Sequence, residues 1–179
     1  SLERDWKRVA KLLGTWPAPL AIFLRTPEGQ MIAPETSALI AKGLGLLGTA
    51  CVHLGEVDRA EEIYRLGVQY GQDGPASAEI FTRFGEALLT DGRPGESIGL
   101  LRRALALGAD PRRVQPLLAK SFRLRRRFVA ARGCLLAALE AGVPAADVWD
   151  DIQAVRDALG AAAGQLPIKL PASPSLRAS

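Results

Sequence analysis

Three stretches of this chain, residues 44–71, 81–108 and 115–142, carry the same pattern of large and small side chains. In each, a large residue precedes a small one: Leu47-Gly48, Phe84-Gly85 and Leu118-Ala119. Twelve positions later stands a second small residue, Ala60, Ser97 or Ala131, and four further a bulky one, Tyr64, Leu101 or Leu135. Three beyond that comes another small residue, Gly67, Ala104 or Ala138. The units are offset by 37 and then 34 residues. Repetition at this interval restricts the fold severely, because each unit leaves an apolar face uncovered until a neighbour stacks on it.

The pattern has a steric meaning. Two antiparallel helices approach closely only where small residues face one another, and the bulky residues around them fill the space to the next pair. Gly55-Glu56 and Asp91-Gly92-Arg93-Pro94 mark turns inside the first two units, and Pro75 and Pro111 mark junctions between units. Gly43 and Gly45 precede Gly48 inside an apolar run, so they read as close-packing positions rather than a phosphate loop. Aromatic residues make up only 6% of the 179, so the core must be built from Leu, Ala, Val and Ile.

These positions resemble the tetratricopeptide repeat family, whose pattern is W-x2-L-G-x2-Y followed by A, F, A and P at fixed intervals. Over residues 41–144 the Trp position holds Leu44, Phe81 and Gln115, and the Tyr position holds Cys51, Leu88 and Phe122. Gln115 and Ser97 depart most from the pattern. Pro116 suggests that the first helix of the third unit starts late, since an interior Pro removes a hydrogen bond. The resemblance implies an all-α, right-handed superhelical array of three helix pairs with flanking helices at both ends.

The expected divisions are an N-terminal helical flank over 1–34, repeats over 35–74, 75–110 and 111–144, a capping helix over 145–163 and a Pro-rich tail over 164–179. In the flank, Leu2, Trp6, Val9 and Leu13 share one face of a short amphipathic helix. Residues 21–33 read either as a hairpin around Pro27-Glu28-Gly29 or as a short helix from Pro19, with helix preferred. Pro34-Glu35 opens a helix running to Leu54. In the cap, Val148, Ile152, Val155 and Leu159 recur at helical spacing, with Asp147, Asp150, Asp151 and Asp157 on the outer side. The tail, LPIKLP at 166–171 above all, reads as a linker, a self-docking segment or a short linear motif.

Catalytic chemistry finds little material. His53 is the only histidine, and two positions from Cys51 on a helix its side chain diverges by roughly 200°. Cys51 falls at a core-facing repeat position, and Cys134 on the second helix of its unit. No G-x-G-x-x-G, G-K-S/T, H-E-x-x-H or G-x-S-x-G motif occurs. Glu61-Glu62 and Asp150-Asp151 lie on solvated faces. The chain lacks Asn, which excludes N-glycosylation, and it has no run of apolar residues long enough to span a membrane. The expectation is a non-enzymatic protein without metal or cofactor, in a reducing cytoplasm or as a periplasmic domain of a larger protein.

Charge is distributed unevenly. Between Glu56 and Glu96 nine acidic residues oppose four arginines, whereas Arg112–Arg132 holds eight Arg or Lys and no acid. Arg112, Arg125, Arg126 and Arg127 form the expected basic patch, suited to oxyanions through the fork of the guanidinium. The same run also reads as an ordinary solvated surface. Nucleic acid is disfavoured, since no aromatic platform interleaves the arginines.

Members of the tetratricopeptide family bind extended peptides or helices in a concave groove lined by the first helix of each unit. Carried onto this chain, the groove positions are Lys42, Gly45, Thr49, Val52 and His53 in the first unit. The second supplies Glu79, Thr82, Glu86, Leu89 and Thr90, and the third Arg113, Lys120, Arg123 and Leu124. The Lys/Asn clamp by which some members hold a C-terminal carboxylate is absent, with Gly45 and Thr49 at the corresponding positions. The resemblance therefore implies an adaptor or scaffold that takes an acidic or phosphorylated partner segment. The rivals are a secretion chaperone of the same repeat class, a regulatory nucleic-acid binder and a module that homo-oligomerises.

Overall fold

The structure, a computed structural model, describes residues 2–162, and among these it is all-helical. The tail 164–179 lies outside the described residues. Ten α-helices follow in order: α1 Leu2–Leu13, α2 Pro17–Phe23, α3 Pro27–Gln30, α4 Pro34–His53, α5 Val57–Gly71, α6 Pro75–Thr90, α7 Pro94–Ala106, α8 Pro111–Leu124, α9 Phe128–Glu140 and α10 Trp149–Ala162. A 3-10 turn, Ala145–Val148, leads into α10. Six of the helices begin on proline, whose fixed φ suits the first helical position and whose missing N–H is no loss there. No helix among the described residues is long and apolar enough to cross a membrane.

The chain divides between Ala109 and Asp110 into two compact units. In the first, α4 packs against α5 and α6 against α7, and α6 also lies on both α4 and α5. Its core joins Leu44, Leu47 and Cys51 of α4 to Ile63, Tyr64 and Tyr70 of α5 and to Ile80, Phe84 and Leu88 of α6. Helix α1 covers α4, inserting Ala10 and Leu13 against that core. In the second unit, α8 and α9 form a helix pair and α10 packs on both. Val114, Leu118, Phe122, Leu135, Val148, Ile152 and Val155 are buried there.

The small and bulky positions of the repeat meet as steric partners. A Cβ added to Gly48 would lie 2.7 Å from the Tyr64 ring, and one added to Gly85 would lie 2.7 Å from Leu101 Cγ. Ser97, an outlier in the pattern, is buried and donates from Oγ to the Gly85 carbonyl oxygen at 2.6 Å. The hydroxyl is thus satisfied across the helix pair.

Each pair is closed by the same backbone device. After α4, Gly55 adopts φ +80°, and Glu56 N–H bonds the Cys51 carbonyl oxygen at 2.8 Å. After α6, Gly92 adopts φ +76°, with Arg93 N–H on Leu88. After α8 the corresponding residue is Arg126, at φ +57°, with Arg127 N–H on Phe122. These are Schellman caps, which require a left-handed residue just past the helix.

Several expectations need correction. Helix α8 starts at Pro111 and carries Pro116 within it, so the third pair does not begin late; the proline forfeits one hydrogen bond rather than a whole turn. Residues 17–33 form two short helices, α2 from Pro17 and α3, instead of a hairpin or one helix from Pro19. Asp151 is not on a solvated face, because it pairs with Arg123.

Candidate functional site

The first two helix pairs enclose a cleft of ≈ 320 Å³, lined by Thr49, Val52 and His53 of α4, Tyr64 of α5, and Arg83, Glu86, Ala87 and Thr90 of α6. It exists because Gly45 and Gly48 let α4 come close to its neighbours: a Cβ on Gly45 would already press on Ile80. Five of the expected groove residues, Thr49, Val52, His53, Glu86 and Thr90, come together here.

The wall of the cleft is a hydrogen-bonded set. Thr49 Oγ1 lies 2.9 Å from the Gly45 carbonyl oxygen, to which it donates. Its one hydrogen is thereby used, so the Tyr64 hydroxyl at 3.1 Å must be the donor between those two. Arg83 Nη1 adds a third bond to the same oxygen at 3.3 Å. Arg83 is itself aimed by Glu79, whose carboxylate meets its Nε at 2.7 Å. Glu79, expected to face a partner, therefore works here as an orienting residue. Burial pushes the Tyr64 phenol up to about 12, opposed by its bond with Thr49. A phenol held neutral in this way remains a hydrogen-bond donor across the physiological range.

His53 is exposed at the rim, and its ring stacks on Trp6 of α1 at 4.7 Å with 13° between the planes. Trp6, Tyr64 and Arg83 are the contributors that sequence reasoning missed. Arg83 had a readable signal, standing four residues after Glu79 on one helix. Tyr64 carried a weaker one, as the only hydroxyl among the bulky repeat residues. Trp6 had none, being 47 positions from the ring it covers.

Other expected residues lie elsewhere. Thr82 and Leu89 are buried, at 1% and 7% exposure, and cannot present themselves to a partner. The reason is that α6 packs on α4, α5 and α7, which leaves eleven of its sixteen residues inside. Lys42 is exposed on α4 and does not line the cleft.

The second unit holds the cationic residues. Arg112, Arg113 and Lys120 are exposed on α8, and Arg125, Arg126 and Arg127 are exposed in the turn that follows. Leu124, at 48% exposure, lies between the two groups. Arg123 is half-buried, and its Nε meets Asp151 Oδ1 at 2.5 Å, so its charge is neutralised from α10.

No cluster of His, Cys, Asp and Glu among the described residues could hold a metal ion. Cys51 is fully buried, and burial raises its thiol pKa, the reverse of an activated nucleophile. Comparison with family models, curated proteins and solved structures finds no match for this chain.

Proposed function

We propose that this chain is a non-catalytic binding module of the tetratricopeptide kind, a right-handed array of three helix pairs that receives a segment of another protein. One observation carries the reading: the cleft between α4 and α6, where further N–H groups of Arg83 are there to donate and the hydroxyl oxygens of Tyr64 and Thr90 to accept, beside an apolar wall of Val52 and Ala87. Its ≈ 320 Å³ has room for one or two side chains of an extended segment. Arg112 and Lys120, exposed on α8, favour a partner of acidic or phosphorylated character and lend its association a dependence on salt.

Selection of a random peptide library on the immobilised chain tests this. Val52→Trp, at a half-buried position, fills the cleft and serves as the counter-selecting variant. Peptides rich in Asp and Glu that bind the wild type and lose at least tenfold in affinity on Val52→Trp support the proposal. Peptides captured equally by both proteins reject it.

A further inference from the structure

We infer that the turn between α8 and α9 is a docking tip for an anionic lipid surface. The three helix-pair turns can be compared position by position, because all close with the same cap. In the first, Glu56 follows the left-handed glycine and pairs with Arg59 at 2.8 Å. In the second, Arg93 follows it and is spent on Glu61 and Glu96 at 3.1 and 2.7 Å. In the third, Arg125, Arg126 and Arg127 occupy the whole turn, all exposed, with no acidic partner among the described residues. Arg126 moreover holds φ +57° where its two counterparts are glycine. A side chain kept where the backbone disfavours it points to a use for that side chain.

Charge alone would suit any polyanion. The neighbouring apolar residues narrow the choice. Leu124 is 48% exposed and Val129 75% exposed, so they flank the arginines on either side. The position equivalent to Val129 holds Asp58 in the first turn and Gly95 in the second, neither of them apolar enough to insert. Cations bracketed by exposed aliphatic side chains match the headgroup layer, where the guanidinium meets phosphate and the aliphatic groups enter the acyl boundary. An acidic peptide or a nucleic acid would use the arginines and leave Leu124 and Val129 idle. The inference goes beyond the proposed function and does not depend on the α4–α6 cleft.

The test is cosedimentation of the full chain with phosphatidylcholine vesicles, with and without phosphatidylserine. Expected is at least tenfold higher partitioning onto the phosphatidylserine vesicles, weakening as salt rises. Arg125→Ala with Arg127→Ala should lower it roughly fivefold per arginine. Leu124→Ser with Val129→Ser, both surface changes that keep the charge, should lower it several-fold. Val52→Trp should leave it unchanged. Equal binding to vesicles without phosphatidylserine overturns the inference. So does undiminished binding by the Leu124→Ser, Val129→Ser variant, which would make the tip a general polyanion site for acidic peptide or nucleic acid.

Discussion

Gly48 and Gly85 show how much of this molecule is decided by single missing methyl groups. Alanine is a better helix former than glycine by about 1 kcal/mol, so on propensity alone either substitution should help. At Gly48 the new Cβ would press on a Tyr64 ring that is 1% exposed and cannot retreat. Gly48→Ala is expected to destabilise by about 1–3 kcal/mol. Gly99 of α7 has open space at the same point, so Gly99→Ala should stabilise by about 1 kcal/mol. Urea denaturation of the two variants gives the opposite signs directly. Arg126 offers a related test. Relief of its left-handed backbone should make Arg126→Gly more stable by about 0.5–1 kcal/mol, the steric gain outweighing the added freedom of the unfolded chain. A loss of stability in that variant would mean that the guanidinium has a folded-state partner. Gly48, Tyr64, Gly85 and Leu101 were legible as pattern positions, but not that each glycine sits under the bulky residue of its own helix pair, since the spacing suggests small residues facing one another. The Arg123–Asp151 pair was not, since nothing local links residues 28 apart.

At the level of helices, proline tells most about what can be read from a sequence. Pro34 marked a helix start correctly; Pro75 and Pro111, legible as junctions between units, prove to begin α6 and α8, and Pro116 does not delay the start of α8. An interior proline need not end a helix when the surrounding face is well packed, and Val114, Leu118 and Phe122 are all buried on α8. The loss persists as the carbonyl of Arg112, which has no N–H at position 116 to accept from. Pro116→Ala restores that bond and should raise stability by about 1–3 kcal/mol, measured as an upward shift of the thermal midpoint. An unchanged midpoint would place the proline's cost elsewhere. Helix α6 gives the complementary lesson. Its partner-facing residues were assigned as though one side were open, and its contacts with three helices close that side over Thr82 and Leu89.

Across the molecule, the all-helical class was legible, because the small and bulky residues recur at a spacing that suits packed helices and no strand interrupts the described residues. The division at Ala109 was invisible, since the repeat interval runs through it without interruption. Alkaline behaviour is a property of the whole protein, because its two tyrosines, Tyr64 and Tyr70, both have pKa values raised by burial. An acid whose folded pKa lies above its unfolded value favours the folded state at no pH and disfavours it once the unfolded phenol ionises. Stability should therefore fall as pH rises from about 10 towards 12. Phenolate absorbance should appear together with the loss of helical signal rather than before it. Phenolate formation well ahead of unfolding would contradict the burial of both rings.

The shared cap that ends α4, α6 and α8 has one more implication. Because main-chain bonds define each bend, the amino acids beside its left-handed position are nearly interchangeable as far as architecture is concerned. Such corners form a reservoir for adaptive change, in which single codons can alter what the protein touches without rebuilding how it stands. They are equally natural insertion points for an engineer who wants to graft a foreign recognition sequence.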